Sequence, residues 1–230
     1  MTFHPEDLVL WADETLLVIN KPAGLPSLPD GYHPEAPFVR GLLEPAFGRL
    51  WIVHRLDRQT SGVLALARNA DAHRHLNDQF ANHRALKIYH ALVNGTPAWE
   101  TQTVDQALRA NVGHQHRTII DPQQGKAAFT DFKCLARFNP YALLEARPAT
   151  GRTHQIRAHL AFLGLPLVAD ARYGGGERLA VEGEMLIARP ALHAVSLILK
   201  HPVTGQKIVF QAPYPEDFRH TLEVLSSNNA

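Results

Sequence analysis

The groups in this 230-residue chain that could do chemistry are concentrated in the stretch HRLDRQTSG at 54–62. It brings together one carboxylate, two guanidinium groups, an imidazole and two hydroxyls. Apolar residues at 50–53 and 63–67 flank it, and we expect both flanks to be buried strands. A carboxylate at the edge of a core must be paired or take part in chemistry, because its burial is otherwise costly. Asp57 is therefore a candidate for chemistry, and a structural Asp that caps a turn or pairs with Arg55 or Arg58 is the alternative.

Composition and charge describe an ordinary globular protein. Apolar residues make up 45% and charged residues 20% of the chain, which fits a packed core rather than wholesale disorder. The formal net charge is +1, so a nucleic-acid partner would need a locally basic face. The single cysteine, Cys134, excludes an intrachain disulfide. The sequence shows neither a signal peptide nor an apolar run of membrane-spanning length, so we expect a cytoplasmic protein without a membrane partner.

Other familiar chemical motifs are absent from the sequence. His73 and His75 stand two residues apart on a predicted helix and do not converge, whereas helical zinc ligands favour a four-residue spacing. Ser61 does not lie in the G-x-S-x-G pattern of a nucleophile elbow. The glycine run at 174–176 lacks the Lys-Ser/Thr of a phosphate-binding loop. We therefore expect no metal site.

The apolar periodicity and the turn residues predict the elements that must position the central motif. Strands are predicted at 8–11, 16–19, 85–95, 127–135, 141–146, 191–199 and 207–210, and helices at 38–47, 69–83, 152–163 and 215–225. Recurrent prolines between 22 and 37 predict an extended loop. Strands dominate and the helices are irregularly interspersed, which indicates an α+β fold with a mainly antiparallel or mixed central sheet flanked by helices. A single domain is predicted over 1–225, followed by a disordered polar tail at 226–230.

The stretch at 54–62 resembles the catalytic motif HRLD-x-x-TSG of the RluA-type pseudouridine synthases. Further stretches match that family in the same order: NKPAG at 20–24, KIYHALVNG at 87–95, TGRTHQIR at 150–157, LHA at 192–194 and HPVTG at 201–205. A four-residue motif such as HRLD can occur by chance. These matches, however, follow the family's order and extend over nearly the whole chain. One departure follows NKPAG, where the family continues with an apolar pair and His-Pro, and this chain has LPSLP at 25–29.

The resemblance implies a pseudouridine synthase-like fold and an isomerase that acts on structured RNA as a monomer, without a cofactor. Such an enzyme breaks the C1′–N1 bond of a specific uridine, in ribosomal or transfer RNA, turns the uracil and rejoins it through C5. We expect the family's N-terminal S4 RNA-binding domain to be absent, so that the catalytic domain itself selects the substrate. A non-catalytic RNA-binding or ribosome-assembly protein on the same fold is the alternative. A carboxylate-based hydrolase is a second alternative, although it would normally need a further acid near the first.

By resemblance, three residues carry the reaction. Asp57 is the nucleophile, Arg157 keeps it ionised in a water-excluded pocket, and Tyr89 stacks on the target base and is a candidate acceptor of the C5 proton. Burial favours the neutral form of a carboxyl group, and an adjacent guanidinium opposes that preference. Taken alone, an Arg on an amphipathic helix is an ordinary surface residue, and a Tyr in a strand is more often part of the core. Because Asp57 and Arg157 are 100 residues apart, their meeting in one cavity tests the assignment.

The target base must leave its helix or loop to be reached, and the resemblance gives the vacated place to the His54-Arg55 corner. The full set of predicted substrate-binding residues is Lys21, His54, Arg55, Arg58, Thr60, Lys87, Arg152 and His154. Arg152 and Arg157 are five residues apart on a predicted helix and so point to different faces, which excludes a shared role. Lys87 lies on the same strand face as Tyr89, where its ammonium group could contact a phosphate or extend to water.

Overall fold

The computed structural model describes residues 3–29 and 35–228. Within these residues the chain forms fourteen β-strands, four α-helices and two short 3₁₀ turns. The contacts between Cα atoms divide it into two compact units, a first unit of residues 1–87 and 194–213 and a second of residues 88–193 and 214–230. The single domain over 1–225 stays a prediction.

The elements have the following bounds. The strands are β1 (Val9–Ala12), β2 (Leu16–Lys21), β3 (Trp51–Ile52), β4 (Ser61–Ala67), β5 (Leu86–Asn94), β6 (Thr101–Asp105), β7 (Leu108–Val112), β8 (Arg117–Ile120), β9 (Phe129–Arg137), β10 (Tyr141–Pro148), β11 (Leu179–Val181), β12 (Glu184–Ile187), β13 (Leu192–Lys200) and β14 (Lys207–Gln211). The helices are α1 (Val39–Phe47), α2 (Ala70–Ala81), α3 (Gln155–Phe162) and α4 (Glu216–Ser227). The predicted α+β class is confirmed.

Two predicted boundaries are wrong. Helix α3 begins at Gln155 instead of Arg152, because the chain before it forms a loop tied down by the Gln155 side chain. Helix α4 continues to Ser227, so the predicted disordered tail at 226–230 begins inside a helix. Residues 229–230 of that tail, and residues 30–34 of the predicted loop at 22–37, lie outside the described residues.

The first unit is built around β4, which is buried along its whole length. Its sheet has the order β1-β2-β4-β13-β14, with β3 also pairing with β4, and β2 runs antiparallel to β4 from the pair Leu16–Ala67 to the pair Lys21–Gly62. Helix α2 packs on this sheet through Leu76, whose burial contributes about 1.5–3 kcal/mol. The Asn69 side chain caps this helix by accepting the N–H of Ala72 at 2.9 Å, as the sequence predicts.

The side chain of His54 replaces the strand partner of β4 at the point where β3 ends. The last β3–β4 pair is Ile52 with Leu66, and the N–H of the next β4 residue, Ala65, donates to His54 Nε2 at 3.0 Å. The imidazole also stacks on Phe80 of α2, with 4.4 Å between ring centroids and 20° between ring planes. The pairing of β3 with β4 therefore ends here, and the chain continues into the loop at 53–60.

The bond from Ala65 also fixes the protonation state of this imidazole. Because Nε2 accepts, the proton of the neutral ring lies on Nδ1, which is buried and has no hydrogen-bond partner among the described residues. Burial, and then the ammonium group of Lys87 nearby, lower the pKa of His54 to about 3. The ring is therefore neutral at pH 7.

Gly62 shows why the motif at 54–62 ends in glycine. Its φ is +116°, and a Cβ added there would lie 2.2 Å from the carbonyl oxygen of Ala194 in β13. No side chain fits between two backbones at that distance, and the positive φ disfavours L-residues independently.

The second unit has its own antiparallel strands and core. The order is β5-β10-β9-β6, and β10 pairs with β5 from Tyr141–Asn94 to Ala146–Tyr89. Strands β7 and β8 form a separate hairpin, as do β11 and β12. Helix α4 buries Phe218 in a cluster with Leu92 of β5 and Leu143 of β10.

Replacing Gly62 by alanine is expected to destabilise the protein more than the same change at Gly48. Both glycines have a positive φ, so both changes carry backbone strain of about 1–3 kcal/mol. At Gly48 no described atom lies within 4 Å of the added Cβ, whereas the Gly62 variant also meets the Ala194 backbone, which adds about 1–3 kcal/mol. Urea denaturation followed by circular dichroism measures both free energies of unfolding, and equal losses would contradict the steric explanation.

Acid is expected to destabilise the protein through His54. An unfolded histidine titrates near pH 6.5 and the folded ring near 3, so stability that is complete above pH 6.5 is lost as the pH falls toward 3. Burial also lowers the pKa of His90 and His159, and their losses add to that of His54. The informative quantity is therefore the difference between the wild type and His54→Gln. From pH 7 to pH 5 the wild type should lose about 2 kcal/mol more than the variant, and parallel curves would show that folding does not lower the pKa of His54.

Candidate active site

A buried lysine at the end of β2 anchors the loop that carries Asp57. Lys21 has no exposed surface, and its Nζ donates to the carbonyl oxygens of Pro22 at 2.8 Å, Leu25 at 2.9 Å and Arg58 at 3.2 Å. The ammonium group thus ties the segment after β2 to the residue that follows Asp57. The predicted contact of Lys21 with the substrate is corrected to a structural role, because an ammonium group buried among these carbonyls presents no surface to RNA.

Ser27 and Gly24 fix the two residues on either side of Asp57. The Ser27 hydroxyl donates to the carbonyl of Leu56 at 2.8 Å and accepts the N–H of Leu56 at 3.1 Å. The N–H of Gly24 donates to the carbonyl of Arg58 at 2.8 Å, and Arg58 Nε donates to the carbonyl of Gly24 at 3.1 Å. Ser27 belongs to the LPSLP stretch that departs from the family pattern, and it was missed as a site residue. The one available signal was a small hydroxyl residue among apolar and proline residues.

Side chains of the loop at 53–60 alternate between the core and the surface. Leu56 and Thr60 are buried, Arg55 and Arg58 are exposed, and Asp57 is half-buried between them. The carbonyl of Asp57 accepts the N–H of Thr60 at 3.0 Å, which closes the turn. The backbone of the loop is thus held while the carboxylate stays at its surface.

The ring of His54 is held between Phe80 and the N–H of Ala65, and the residue is half-buried. Its predicted contact with RNA stays a prediction. Of the predicted His54-Arg55 corner, Arg55 is the residue with an exposed side chain.

In the second unit Arg157 is a buried residue with a two-pronged carboxylate partner. Its Nε and Nη2 donate to the Oδ2 and Oδ1 atoms of Asp170 at 2.7 and 2.8 Å, and its Cζ lies 4.8 Å from the centroid of the Tyr173 ring. Asp170 is 1% exposed. The surface-residue alternative for Arg157 is therefore wrong. Sequence reasoning did not identify Asp170, because an Asp 13 residues further along the chain gives no signal of its own.

The Gln155 side chain organises the loop before α3. Its Oε1 accepts from the Thr150 hydroxyl at 2.6 Å and from the N–H of Arg152 at 3.0 Å, and its Nε2 donates to the carbonyl of Phe129 at 2.9 Å. Arg152 lies outside the helix and donates through Nε to the carbonyl of Ala127 at 2.9 Å. Arg152 and Arg157 therefore have different surroundings, but they do not lie on two faces of one helix as predicted, because Arg152 precedes α3.

The remaining candidates lie near the start of α3 and on β5. His154 has a left-handed backbone, with φ +53°, and its Nδ1 is hydrogen-bonded to the hydroxyl of Tyr173 at 3.0 Å. Tyr89 is 9% exposed, and burial lowers the pKa of Lys87 to about 8.

Asp57 belongs to the first unit, and Tyr89 and Arg157 belong to the second. The meeting of these three side chains stays a prediction.

Two other kinds of feature are absent from the described part of the chain. Across residues 3–29 and 35–228, no group of three or more His, Cys, Asp or Glu side chains is arranged to hold a metal ion. Over the same residues, no helix is long and apolar enough to cross a membrane.

Comparison with known proteins gives a consistent result. The family model described as RNA pseudouridylate synthase matches residues 15–162, a span that contains Asp57, Tyr89 and Arg157. The chain is 34% identical over 240 residues to the ribosomal large subunit pseudouridine synthase D of Zymomonas mobilis, with 98% of this chain and 76% of that protein covered. It is 37% identical over 226 residues to the ribosomal large subunit pseudouridine synthase C of Salmonella typhi, with 96% and 70% covered.

The fold agrees with these sequence relationships. The solved structure of human RNA pseudouridylate synthase domain containing 4 matches with a TM-score of 0.78 and 25% identity, over 96% of this chain and 94% of that one. On the family model, the relatives and this structural match, the chain belongs to the RluA-type family of RNA pseudouridine synthases, which are isomerases.

Proposed function

We propose that this protein isomerises a uridine of large-subunit ribosomal RNA to pseudouridine, with Asp57 as the reacting carboxylate. The observation that carries the proposal is the clamped loop, in which the residues before and after Asp57 are fixed by Ser27, Gly24 and Lys21. A reaction at carbon needs such positioning, because a misplacement of about 1 Å can cost about 10²-fold in rate. The names of the two bacterial relatives favour ribosomal over transfer RNA.

The proposed reaction needs no group beyond the protein and the RNA. Asp57 acts at C1′ as nucleophile or charge stabiliser while the C1′–N1 bond breaks. The freed uracil turns, a bond forms between C1′ and C5, the proton on C5 leaves and N1 ends with a proton. Atoms and electrons balance within the nucleotide, and the carboxylate is regenerated.

Arg157 is suited to hold that carboxylate in its ionised form. A guanidinium group carries five N–H donors in a planar fork, and Asp170 uses the edge formed by Nε and Nη2. In the proposal this guanidinium group also acts on the carboxylate of Asp57, which would oppose the preference of a partly buried carboxyl for its neutral form.

Base flipping completes the proposal. The target uridine leaves its stack to reach the half-buried carboxylate of Asp57, and the exposed side chain of Arg55 takes the vacated place. Tyr89 supplies a flat face for the uracil and, through its hydroxyl, a candidate acceptor for the proton on C5.

Replacing Asp57 by asparagine is expected to abolish isomerisation and preserve RNA binding. The amide has nearly the same shape but cannot act as a carboxylate nucleophile, and the loss should be roughly 10⁴-fold or more. The assay uses an unmodified ribosomal RNA transcript, pseudouridine quantified by mass spectrometry of digested nucleosides, and RNA affinity from filter binding. Asp71→Asn, the same change at an exposed residue of α2, is the matched control.

The outcomes separate the proposal from its alternative. Pseudouridine formed by the wild type and by Asp71→Asn, but not by Asp57→Asn, supports an enzyme that uses Asp57. Wild-type turnover in Asp57→Asn would remove that carboxylate from the mechanism. RNA binding by the wild type with no pseudouridine on any ribosomal RNA would favour the non-catalytic RNA-binding protein.

Replacing Tyr89 by phenylalanine is expected to keep RNA binding and slow the reaction after the glycosidic step. The ring still stacks on the base, but the group that accepts the proton on C5 is lost, at a cost of about 10²–10⁴-fold. Single-turnover kinetics measures the effect, with Tyr141→Phe in β10 as the control. Unchanged turnover in the Tyr89 variant would limit this residue to stacking.

A further inference from the structure

A tight turn at 169–175, which follows α3 in the chain, holds Asp170 and Tyr173 in place. The N–H of Ala169 donates to the carbonyl of Gly175 at 3.0 Å, and the N–H groups of Gly175 and Tyr173 both donate to the carbonyl of Asp170, at 2.9 and 3.0 Å. A Cβ added at Gly175 would lie 1.7 Å from the carbonyl oxygen of Leu167. The turn therefore requires glycine and fixes the backbone from which both side chains extend.

The two side chains restrain the Arg157 guanidinium group in different directions. Asp170 binds its edge through two hydrogen bonds, which fixes rotation within the plane of the group. The ring of Tyr173 lies 4.8 Å from Cζ, which limits tilting out of that plane. One charged group is thus defined both in position and in orientation.

The ring of Tyr173 is itself held at its far end. Its hydroxyl oxygen accepts the N–H of Thr118 at 2.8 Å and is hydrogen-bonded to His154 Nδ1 at 3.0 Å. Arg157 is therefore held by a ring that three segments fix in place: the turn, the β7–β8 hairpin and the start of α3.

Stability alone is a poor explanation for this arrangement. A buried ion pair contributes little net stability, because removing both charges from water costs about as much as their attraction returns, and apolar replacements are often neutral. A buried pair does, however, give a guanidinium group a fixed direction. Direction matters where a second carboxylate has to be met at hydrogen-bond distance.

We propose that Asp170 and Tyr173 are positioning residues for Arg157, which set the plane and direction of its guanidinium group for the chemical step. The inference rests on the proposed function, in which Arg157 contacts the reacting carboxylate. It predicts that losing either residue lowers the rate of isomerisation on bound RNA, with RNA affinity largely unchanged.

The test compares two Arg–Asp pairs of the second unit that share one contact geometry. Arg189 makes the same two-pronged contact with Asp217, at 2.6 and 2.8 Å, although the Asp217 side chain is 35% exposed, and neither residue is assigned to the proposed site. Asp170→Asn and Asp217→Asn are therefore the same change at the same kind of contact in the full chain. The measurements are the single-turnover rate on an unmodified ribosomal RNA transcript, the Kd for that RNA and the Tm.

Both variants should have a lower Tm, but only Asp170→Asn should lose about 10²-fold in single-turnover rate. Adding Asp170→Asn to Arg157→Gln should lower the rate no further, because a positioning residue acts only through its partner. Equal rates for Asp170→Asn and Asp217→Asn, measured where both are folded, would show a merely structural pair. A further loss in the double variant would also overturn the inference.

Tyr173→Leu gives a second test if Asp170→Asn does not fold. It removes the ring from the face of the guanidinium group and leaves the ion pair, and the single-turnover rate should fall about tenfold at unchanged Kd. A wild-type rate in this variant would overturn the role of Tyr173. Absence of pseudouridine with the wild-type protein would instead refute the proposed function, so the two failures are distinguishable.

Discussion

The ammonium group of Lys21, buried among main-chain carbonyls, is the interaction on which the candidate active loop depends. A buried cation is costly unless polar partners replace its water, and here the carbonyls of Pro22, Leu25 and Arg58 do so. Because two of these belong to one segment and the third to the loop at 53–60, satisfying the charge also joins the two segments. The loop therefore takes its shape from an electrostatic requirement rather than from strand pairing.

The two units treat the charged groups of the proposed reaction in a similar way. In the first, the backbone around Asp57 is fixed while its carboxylate stays half-buried. In the second, one edge of the Arg157 guanidinium group is fixed by Asp170. In both cases the restraint comes from a different chain segment, so the geometry of the functional group is set by the fold and not by its neighbours in sequence.

Much of the architecture could be predicted from the sequence, but side-chain partners could not. Helix α2 was predicted correctly because its cap at Asn69 and its apolar spacing are local signals. The sequence predicts a contact of Lys21 with RNA because residue type indicates charge, but it does not indicate that this side chain is fully buried. The start of α3 is predicted three residues too early because Gln155 holds the preceding loop through contacts that include the distant strand β9. Asp170 gave no signal, since its pairing with Arg157 arises from a turn that is defined only in three dimensions.

The bond between His54 and Ala65 has a consequence for local opening of the first unit. A strand pair separates only when several backbone bonds break together, whereas this junction is a single side-chain bond at the end of the short strand β3. The His54 end of the loop at 53–60 can therefore open while β2 and β4 remain paired, whereas the Asp57 end stays tied to Lys21 and Ser27. Sheet integrity and opening of the His54 end are in this way governed by separate contacts.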